Sequence, residues 1–338
     1  MDKQKTYTSL KDEVWDAGIC SGCGACVAVC PADALFFYDE PGITHPNHSG
    51  YCKQEIDHVP CGACYEVCPR VIKHKDELLG EYLSLNAARS KTEIPYKQSG
   101  GAVTAILLNA LNSGMIDGVI TLSEDRWSHK PVSVLITSAG ELIENAGSRY
   151  NWSIPILKSI KSAVIEKKLS RLVVVGTPCV VQAARRIKDS GHDLVKPFGS
   201  RIRLIIGLFC TESFNYYSLM EQILKQNMQI QSYQITKMDV KGNLEISMAD
   251  DRIEKISLKE IDSAIQPGCR SCTDFSALDS DISAGSVGTK DGWTTLLVRT
   301  EEGSAFVRSA VQEGMLELNS DVDLNPINRL AQKKASRK

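Results

Sequence analysis

Short apolar runs alternate with amphipathic stretches along most of the chain after residue 80. Runs typical of buried strands occupy residues 118–122, 132–137, 171–175 and 202–209. Stretches with helical periodicity lie before or between them, at residues 102–111, 156–168 and 180–188. Strands that alternate with helices in this way favour βαβ units and a parallel sheet.

The pattern changes after a predicted helix at residues 216–227. Residues 232–240 and 244–248 are typical of a β-hairpin that turns at Lys241-Gly242-Asn243. A last amphipathic helix is expected near residues 303–313. The polar, basic end from Gln332 to Lys338 is expected to fray. We therefore predict an α/β domain with a mixed, partly parallel sheet over residues 81–325, and a basic tail over residues 326–338.

Composition adds one strong signal, which is cysteine. The chain has 338 residues, a net charge of -2 and 12 cysteines, 8 of which lie between Cys20 and Cys68. The near-neutral charge gives no indication of a nucleic-acid partner, and no apolar run approaches the roughly 20 residues that cross a bilayer. The beginning of the chain does not resemble a secretory signal, so we expect a cytoplasmic protein. Thiols stay reduced in the cytoplasm, so cysteines this closely spaced indicate metal binding and not disulfide bonds.

The first cysteine run is Cys20-x2-Cys23-x2-Cys26-x3-Cys30-Pro31. It has the spacing with which bacterial ferredoxins hold two 4Fe–4S clusters, the fourth cysteine of each run binding the other cluster. A second run, Cys61-x2-Cys64-x3-Cys68-Pro69, lacks only a first member, which Cys52 supplies from further upstream. The predicted ligands are Cys20, Cys23, Cys26 and Cys68 for one cluster, and Cys30, Cys52, Cys61 and Cys64 for the other. A pair of zinc sites is the alternative.

Residues 1–80 are therefore predicted to form a small ferredoxin-like domain, ahead of the α/β domain. It has few core residues, so metal would have to stabilise it. The overall class is α+β followed by α/β.

The remaining four cysteines are scattered along the chain. Cys179 and Cys210 each follow a predicted parallel strand, so both should lie at the same edge of the sheet, where open α/β folds bind ligands. Cys269-x2-Cys272 could close over that edge and complete a third site. Three interpretations remain open: a 4Fe–4S cluster, a zinc site, or two structural thiols beside an unrelated pair.

Three glycine-containing segments have the character of cofactor loops. Ser99-Gly100-Gly101 opens a helix and offers a phosphate cradle or an ordinary helix start. Gly147-Ser148-Arg149-Tyr150 provides a cation and a ring, or a simple turn. The loop over residues 286–293 would let backbone approach a planar ligand, although Trp293 alone is more typical of a core. His58 and His129 are expected at the surface.

Six ordered blocks resemble the signature of the coenzyme F420 hydrogenase/dehydrogenase beta-subunit family, over residues 83–333. They are Gly100-Gly101-Ala102-Val103-Thr104, Gly147-Ser148-Arg149-Tyr150, Gly176-Thr177-Pro178-Cys179, the run from Gly207 to Phe214, Cys269-x2-Cys272, and Gly285-Ser286-Val287-Gly288-x2-Asp291-Gly292-Trp293. With the ferredoxin-like domain in front, the arrangement is similar to that of the F420H2 dehydrogenase input subunit and of half of F420-dependent sulfite reductase.

The resemblance implies FAD, coenzyme F420 as substrate, and a third 4Fe–4S cluster on Cys179, Cys210, Cys269 and Cys272. It implies FAD contacts from Ser99, Gly100, Gly101, Val103, Thr104, Ser148, Arg149 and Tyr150. It places Ser286, Val287, Gly288, Lys290, Asp291, Gly292 and Trp293 near the two rings. Arg149 and Lys290 are candidates for phosphate or for the acidic tail of coenzyme F420. The family's first block commonly begins with Asp, whereas this chain has Ser99.

The implied function is an F420-dependent oxidoreductase of methanogenesis-type energy metabolism. Hydride would pass between coenzyme F420 and FAD without a catalytic side chain, and single electrons would leave through the clusters to a redox protein or a larger complex. One alternative is a ferredoxin-dependent FAD/iron–sulfur reductase of another substrate, such as a chlorophyll-pathway tetrapyrrole, and another is an electron-wiring subunit with no substrate site. We expect no nucleic-acid partner and no membrane span, with the protein either free in the cytoplasm or docked peripherally to a membrane complex.

Overall fold

A computed structural model describes residues 5–72, 77–152 and 155–337 of the chain. Residues 1–4 and 73–76 of the predicted ferredoxin-like domain lie outside the described residues, as does Lys338 of the predicted tail. Short elements dominate residues 5–72. They are helices α1 (Tyr7–Leu10), α2 (Ala25–Val29), α3 (Lys53–Ile56) and α4 (Ala63–Glu66), the ribbon of β1 (Leu35–Phe36) and β2 (Asn47–His48), a π-helical turn at Lys11–Trp15 and a 3-10 turn at Pro69–Val71.

The rest of the chain combines strands and helices. The strands are β3 (Ser84–Ser90), β4 (Gly118–Glu124), β5 (Pro131–Ile136), β6 (Asn151–Trp152), β7 (Leu172–Gly176), β8 (Ile202–Leu208), β9 (Phe214–Asn215), β10 (Ile235–Val240), β11 (Asn243–Met248), β12 (Ile253–Ser257), β13 (Ile282–Gly285), β14 (Thr294–Val298) and β15 (Leu316–Asn319). The helices are α5 (Ala102–Asn112), α6 (Ala139–Glu144), α7 (Ser159–Lys161), α8 (Pro178–Asp189), α9 (Lys196–Gly199), α10 (Glu301–Gln312) and α11 (Leu324–Ala335), with π-helical turns at Ser162–Glu166 and Tyr217–Asn227 and 3-10 turns at Ile156–Lys158, Ser232–Gln234, Asp262–Ala264 and Pro267–Cys269.

An eight-stranded sheet with the order β15-β3-β14-β13-β8-β7-β4-β5 forms the centre of the structure. The neighbours β13, β8, β7 and β4 run parallel, and the outer strands pair antiparallel. Every residue of β7 is buried, as expected for a strand covered on both faces. The predicted mixed, partly parallel sheet is confirmed.

The structure differs from the sequence prediction in several elements. Strands β3, β13, β14 and β15 complete the sheet, although the apolar pattern predicts no strand at these positions. In β13 the run Ile-Ser-Ala-Gly has no apolar alternation, yet Ser283 is buried because its hydroxyl pairs with Ser280 at 2.8 Å. The predicted helix at 156–168 is divided among 3-10, α and π turns. The predicted hairpin is confirmed as β10–β11, and β12 extends it to three strands.

The expectation of a frayed end is wrong for its described part. Residues 324–335 form α11, which buries Ile327, Ala331 and Lys334 on one face. These positions are four and then three residues apart, the spacing of one helical stripe. The stripe is short and its last member is a lysine, so the sequence resembles a solvated tail.

The cysteine-rich segment shares its core with the α/β part. Cys23, Ala28 and Val29 belong to one buried cluster with residues of α8 and β7. Leu157 N–H donates to the carbonyl of Cys23 at 3.1 Å, and the Trp152 indole donates to the carbonyl of Gly22 at 3.2 Å. The two parts are therefore held together by backbone contacts as well as by apolar packing. No helix within the described ranges is long and apolar enough to cross a membrane.

Two helical glycines provide a test of this packing. A Cβ atom on Gly303 of α10 would lie 2.4 Å from the carbonyl oxygen of Asp281, whereas one on Gly140 of α6 would meet nothing within 4 Å. We expect Gly303→Ala to destabilise the fold by about 1–3 kcal/mol, the usual cost of overpacking. Gly140→Ala should be neutral or stabilising by up to about 1 kcal/mol. Anaerobic thermal denaturation measures both, and equal melting temperatures would contradict the close approach of α10.

Candidate functional site

The chemistry-bearing residues gather at the carboxyl edge of the parallel strands. Strand β4 ends at Glu124, Cys179 follows β7, Cys210 follows β8, and the loop over residues 286–293 follows β13. These four strands are consecutive in the sheet, in the order β13-β8-β7-β4. The shared direction of the strands brings segments distant in sequence to one edge, as in other open α/β folds.

Two pockets in the cysteine-rich segment correspond to the two predicted ligand sets. We call them the first and second cysteine sets. The first set lines one pocket and consists of Cys20, Cys23, Cys26 and Cys68. The second set lines the other pocket and consists of Cys30, Cys52, Cys61 and Cys64. Four thiols around one pocket are the donor set that holds a 4Fe–4S cluster, so these residues fit the group.

The thiols within each of these sets interact with one another. Burial raises the pKa of Cys64, and the second-set thiols Cys30, Cys61 and Cys52 raise it further. Burial also raises the pKa of Cys26, and the other thiols of the first set raise it further. Cys64 of the second set adds to this shift. The two sets are therefore neighbours. Thiols in such surroundings ionise when a metal binds them.

The third set, Cys179, Cys210, Cys269 and Cys272, also converges. Burial raises the pKa of Cys210, and the other three thiols of the set add to the shift while Lys334 opposes it. Ser213 N–H donates to the sulfur of Cys269 at 3.4 Å. This convergence favours a single site over unrelated structural thiols. Among the described residues, no group of three or more His, Cys, Asp or Glu side chains is arranged to hold a single metal ion.

Backbone contact joins the first and third sets. A Cβ atom on Gly268 would lie 2.1 Å from the carbonyl oxygen of Cys20. Burial raises the pKa of Cys23 to about 12, with contributions from Cys68 and from Cys179 of the third set. The order along the molecule is therefore third set, first set, second set.

Cations that the sequence analysis did not identify surround the third set. Arg70 donates to the carbonyl of Gly268 at 3.0 Å, and the Lys334 ammonium donates to the carbonyl of Cys210 at 2.5 Å. Burial alone would raise the pKa of Cys272, but Lys334 and Arg70 outweigh it and lower that pKa. The only sequence signal for Lys334 is its place on the apolar stripe of α11.

The predicted phosphate cradle at the start of α5 is partly occupied by the protein itself. The Ser99 hydroxyl donates to the carbonyl of Trp293, and the Gly100 N–H donates to the Thr294 hydroxyl at 3.0 Å. A Cβ atom on Gly100 would lie 2.4 Å from the carbonyl oxygen of Ala88, so this glycine permits close packing against β3. Gly101 has a φ of 71° and begins a helix that no side chain caps. Val103 and Thr104 are half-buried in its first turn.

Arg149, one of the predicted cofactor residues, is a buried cation with a donor that has no partner among the described residues. Its side chain is only 9% exposed, and its Nη1 atom donates to the carbonyls of Asn145 and Gly147 at 2.7 and 2.9 Å. Its Nε atom is buried and has no hydrogen-bond partner among the described residues, with the Glu124 carboxylate 4.0 Å away. An orphaned, buried guanidinium N–H is costly unless a ligand accepts from it. The neighbouring Ser148 is exposed.

The loop over residues 286–293 lies partly on the surface. Gly288, with a φ of 93°, rests on α11, where Asp323 N–H donates to its carbonyl at 2.8 Å. Lys290 is exposed and pairs with Asp321 at 2.7 Å. Trp293 is half-buried beneath the Arg89 guanidinium, 4.6 Å from its ring centroid, and is therefore not a core residue. Ser286, Asp291 and Gly292 are exposed, and Val287 is half-buried.

The three predicted cofactor segments lie side by side. Ser99 contacts Trp293 directly. Tyr96 is close to Gly101 in the chain, and its carbonyl oxygen would lie 3.0 Å from a Cβ atom placed on Gly147. Tyr150 is 3.5 Å from Asp239 through its hydroxyl, and its carbonyl accepts from the Ser213 hydroxyl at 3.2 Å. Since Ser213 also contacts Cys269, this region adjoins the third cysteine set.

His129 corrects one expectation. It is 8% exposed and not at the surface, because its ring pairs with the carbonyl of Ile235 at 2.9 Å. Burial opposes the charged form, but the Glu124 carboxylate 3.7 Å away outweighs it and raises the pKa of His129. His58 is exposed, as expected. Glu124 thus lies between a histidine and Arg149, a grouping that no local sequence pattern indicates.

Comparisons with known proteins agree over nearly the whole chain. The coenzyme F420 hydrogenase/dehydrogenase beta-subunit family matches with its N-terminal part at residues 85–161 and its C-terminal part at residues 169–323. A 4Fe–4S binding domain matches residues 13–36. An uncharacterized protein of Methanocaldococcus jannaschii is 41% identical over 100% of this chain and 99% of its own length.

Relatives with assigned activities are more distant. The coenzyme F420-dependent sulfite reductase of M. jannaschii is 34% identical over 98% of this chain, which spans 51% of that protein. One of the subunits of the F420H2 dehydrogenase of Methanosarcina mazei is 32% identical over 87% of this chain and 83% of its own length. A protein in the structure of the F420-reducing [NiFe] hydrogenase complex of Methanosarcina barkeri superposes with a TM-score of 0.72, at 30% identity, over 78% of this chain and 92% of its own.

The third set can be tested through metal content. Cys272→Ala removes a buried thiol of this set, and we expect anaerobically prepared protein to lose about four iron atoms per chain, one cubane. Ser271→Ala changes the exposed neighbour and should keep its full iron content. Iron, acid-labile sulfide and zinc are measured together. Unchanged iron in Cys272→Ala, or zinc at this site, would contradict a third cluster.

Proposed function

We propose that this chain, which belongs to the coenzyme F420 hydrogenase/dehydrogenase beta-subunit family, is an electron-input subunit of the F420H2 dehydrogenase type. It transfers hydride between coenzyme F420 and bound FAD, and it passes single electrons through three 4Fe–4S clusters to a protein partner. The relatives named above support an oxidoreductase related to coenzyme F420.

One observation carries the proposal: the three cysteine sets follow one another from the cofactor region to the far part of the cysteine-rich segment. Ser213 contacts both Tyr150 and Cys269. The loops of the first and third sets meet at Gly268 and Cys20. The second set follows, since Cys26 and Cys64 interact. A protein that only stored metal would not require this order.

The chain's contribution is to bind, orient and electrostatically adjust its cofactors. A flavin accepts a hydride and releases electrons one at a time, which makes it the converter between coenzyme F420 and a cluster. Arg149 would meet the flavin's phosphates through its orphaned N–H, and the uncapped start of α5 would add N–H donors. Lys290, on the exposed loop, would meet the acidic tail of coenzyme F420 by exchanging its partner Asp321.

Electrons would leave from the second set. Near Cys52 three large apolar side chains reach the surface, since Tyr51, Ile56 and Val59 are 40%, 58% and 45% exposed. The sulfite reductase relative is about twice as long as this chain, and the solved relative belongs to a hydrogenase complex. Both favour a protein acceptor for this chain.

Purified protein mixed with reduced coenzyme F420 and methyl viologen tests the function. Dye reduction by FAD-loaded protein is expected. A FAD-loaded protein that reduces no dye would contradict use of coenzyme F420 and favour another substrate. Extraction of bound flavin tests the electron-wiring alternative, which predicts clusters without stoichiometric FAD.

Arg149→Met should weaken FAD binding at least tenfold. It removes a charged donor, and hydrogen bonds to charged groups contribute about 1.5–3 kcal/mol. Arg149→Lys should lose less affinity for FAD. As a control, Arg252→Met removes an arginine whose side chain is 61% exposed and should bind FAD normally. Titration of deflavinated protein with FAD gives the dissociation constants. Equal affinities in all variants would exclude Arg149 from the flavin site.

Cys23→Ala should separate the entry of electrons from coenzyme F420 from their delivery to a protein acceptor. Cys23 belongs to the first set, so its loss should interrupt delivery to a protein acceptor while much of the dye reduction by way of the third set remains. A two-cluster ferredoxin serves as the protein acceptor and methyl viologen as the dye. If both activities fall to the same extent in protein that keeps its FAD and third-set iron, the relay is not separable in this way.

A further inference from the structure

Lys334 is a buried lysine beside a set of thiols. It is 2% exposed, and its ammonium donates to the carbonyl of Cys210 at 2.5 Å. No Asp or Glu among the described residues lies within salt-bridge distance of it. An ammonium group is expensive to bury unless a negative charge compensates it. Neutral thiols cannot provide that charge.

Arg70 poses the same problem between the first and third sets. One of its Nη atoms donates to the carbonyl of Gly268 at 3.0 Å, while its Nε atom is buried without a partner among the described residues. It interacts electrostatically with Cys20 of the first set and with Cys179, Cys269 and Cys272 of the third. Its charge therefore faces two cysteine sets at once.

The nearby carboxylates are engaged elsewhere. Glu212 pairs with Arg337 at 2.5 Å, and Arg337 also donates to the carbonyl of Thr211 at 2.8 Å. Asp274 interacts with Lys334 only beyond salt-bridge distance. Its oxygens accept from the N–H groups of Ala277 and Leu278 and from the side chain of Gln182, at 2.8, 3.1 and 3.1 Å.

We propose that Lys334 and Arg70 are the buried counter-ions of the third 4Fe–4S cluster and raise its reduction potential. The inference deepens the proposed function and rests on its third cluster. A cubane with four thiolates is an anion, and reduction adds one electron, and so one negative charge, without forming or breaking a bond. Fixed positive charges in a buried site favour the more negative state.

The position of Lys334 makes the C-terminal helix part of this site. α11 is anchored by the apolar residues Ile327 and Ala331, and Lys334 follows on the same face. The helix thereby holds a cation against the loop of Cys210. Lys333, the adjacent residue, is exposed and carries the same charge into solvent, where ions screen it.

A matched pair of variants provides the test. Lys334→Met and Lys333→Met remove the same charge from neighbouring positions of one helix, and Lys334→Arg keeps the buried charge. Reductive titration of holoprotein, monitored by electron paramagnetic resonance, gives the midpoint potentials, and iron and FAD are quantified in each sample. We expect Lys334→Met to weaken reduction of one cluster at least tenfold, which corresponds to about 59 mV for one electron. Lys333→Met should change none.

Arg70→Met extends the test, because Arg70 faces two sets. It should lower two midpoint potentials, whereas Lys334→Met lowers one. A loss of about four iron atoms in Lys334→Met that Lys334→Arg restores would support the same charge pairing at the level of cluster assembly.

Two results would contradict different parts of this inference. If protein with about twelve iron atoms shows the same potentials in Lys334→Met, Lys333→Met and wild type, the counter-ion role is wrong and the three clusters stand. If wild-type protein itself holds only about eight iron atoms, the third cluster of the proposed function fails, and this inference fails with it.

Discussion

The close backbone contact between the cysteine-rich segment and the α/β part is the constraint on which the site depends. Gly268 lies against the carbonyl of Cys20, and Gly22 and Gly24 lie against Trp152 and Pro155, all at distances that leave no room for a Cβ atom. The loops of the first and third cysteine sets are therefore neighbours in the folded chain. Glycine is required at these positions because a side chain there would separate the two parts.

This contact also explains how so small a segment is stable. Its helices are four or five residues long, and isolated helices of that length do not persist in water. Residues of α2 and α4 are buried in one core with α8 and β7, so the sheet provides apolar surface that the segment lacks. Metal binding would contribute the remainder, since thiol ligands couple metal affinity to folding.

Local chemistry was predictable from the sequence, and long-range placement was not. The ferredoxin spacing identified the sets that line the two pockets, because the cysteines of each run are only three or four residues apart. Parallel strands placed Cys179 and Cys210 at one edge by a rule of topology. Ser283 of β13 and Lys334 of α11 escaped the pattern because each is a polar residue buried by a distant partner or a tight turn. Hydrophobic periodicity identifies only apolar residues, which are buried without a specific partner.

The electrostatic difference between the ends of the relay gives the proposed order of clusters a physical meaning. The third set lies beside the buried cations Lys334 and Arg70, whereas the second set lies near the exposed side chains around Cys52. Cluster potentials depend on nearby charge, hydrogen bonds and solvent exposure. Identical ligands can therefore hold electrons with different affinity in the three places. The fold around the cysteines, more than the cysteines themselves, would decide in which direction the chain works.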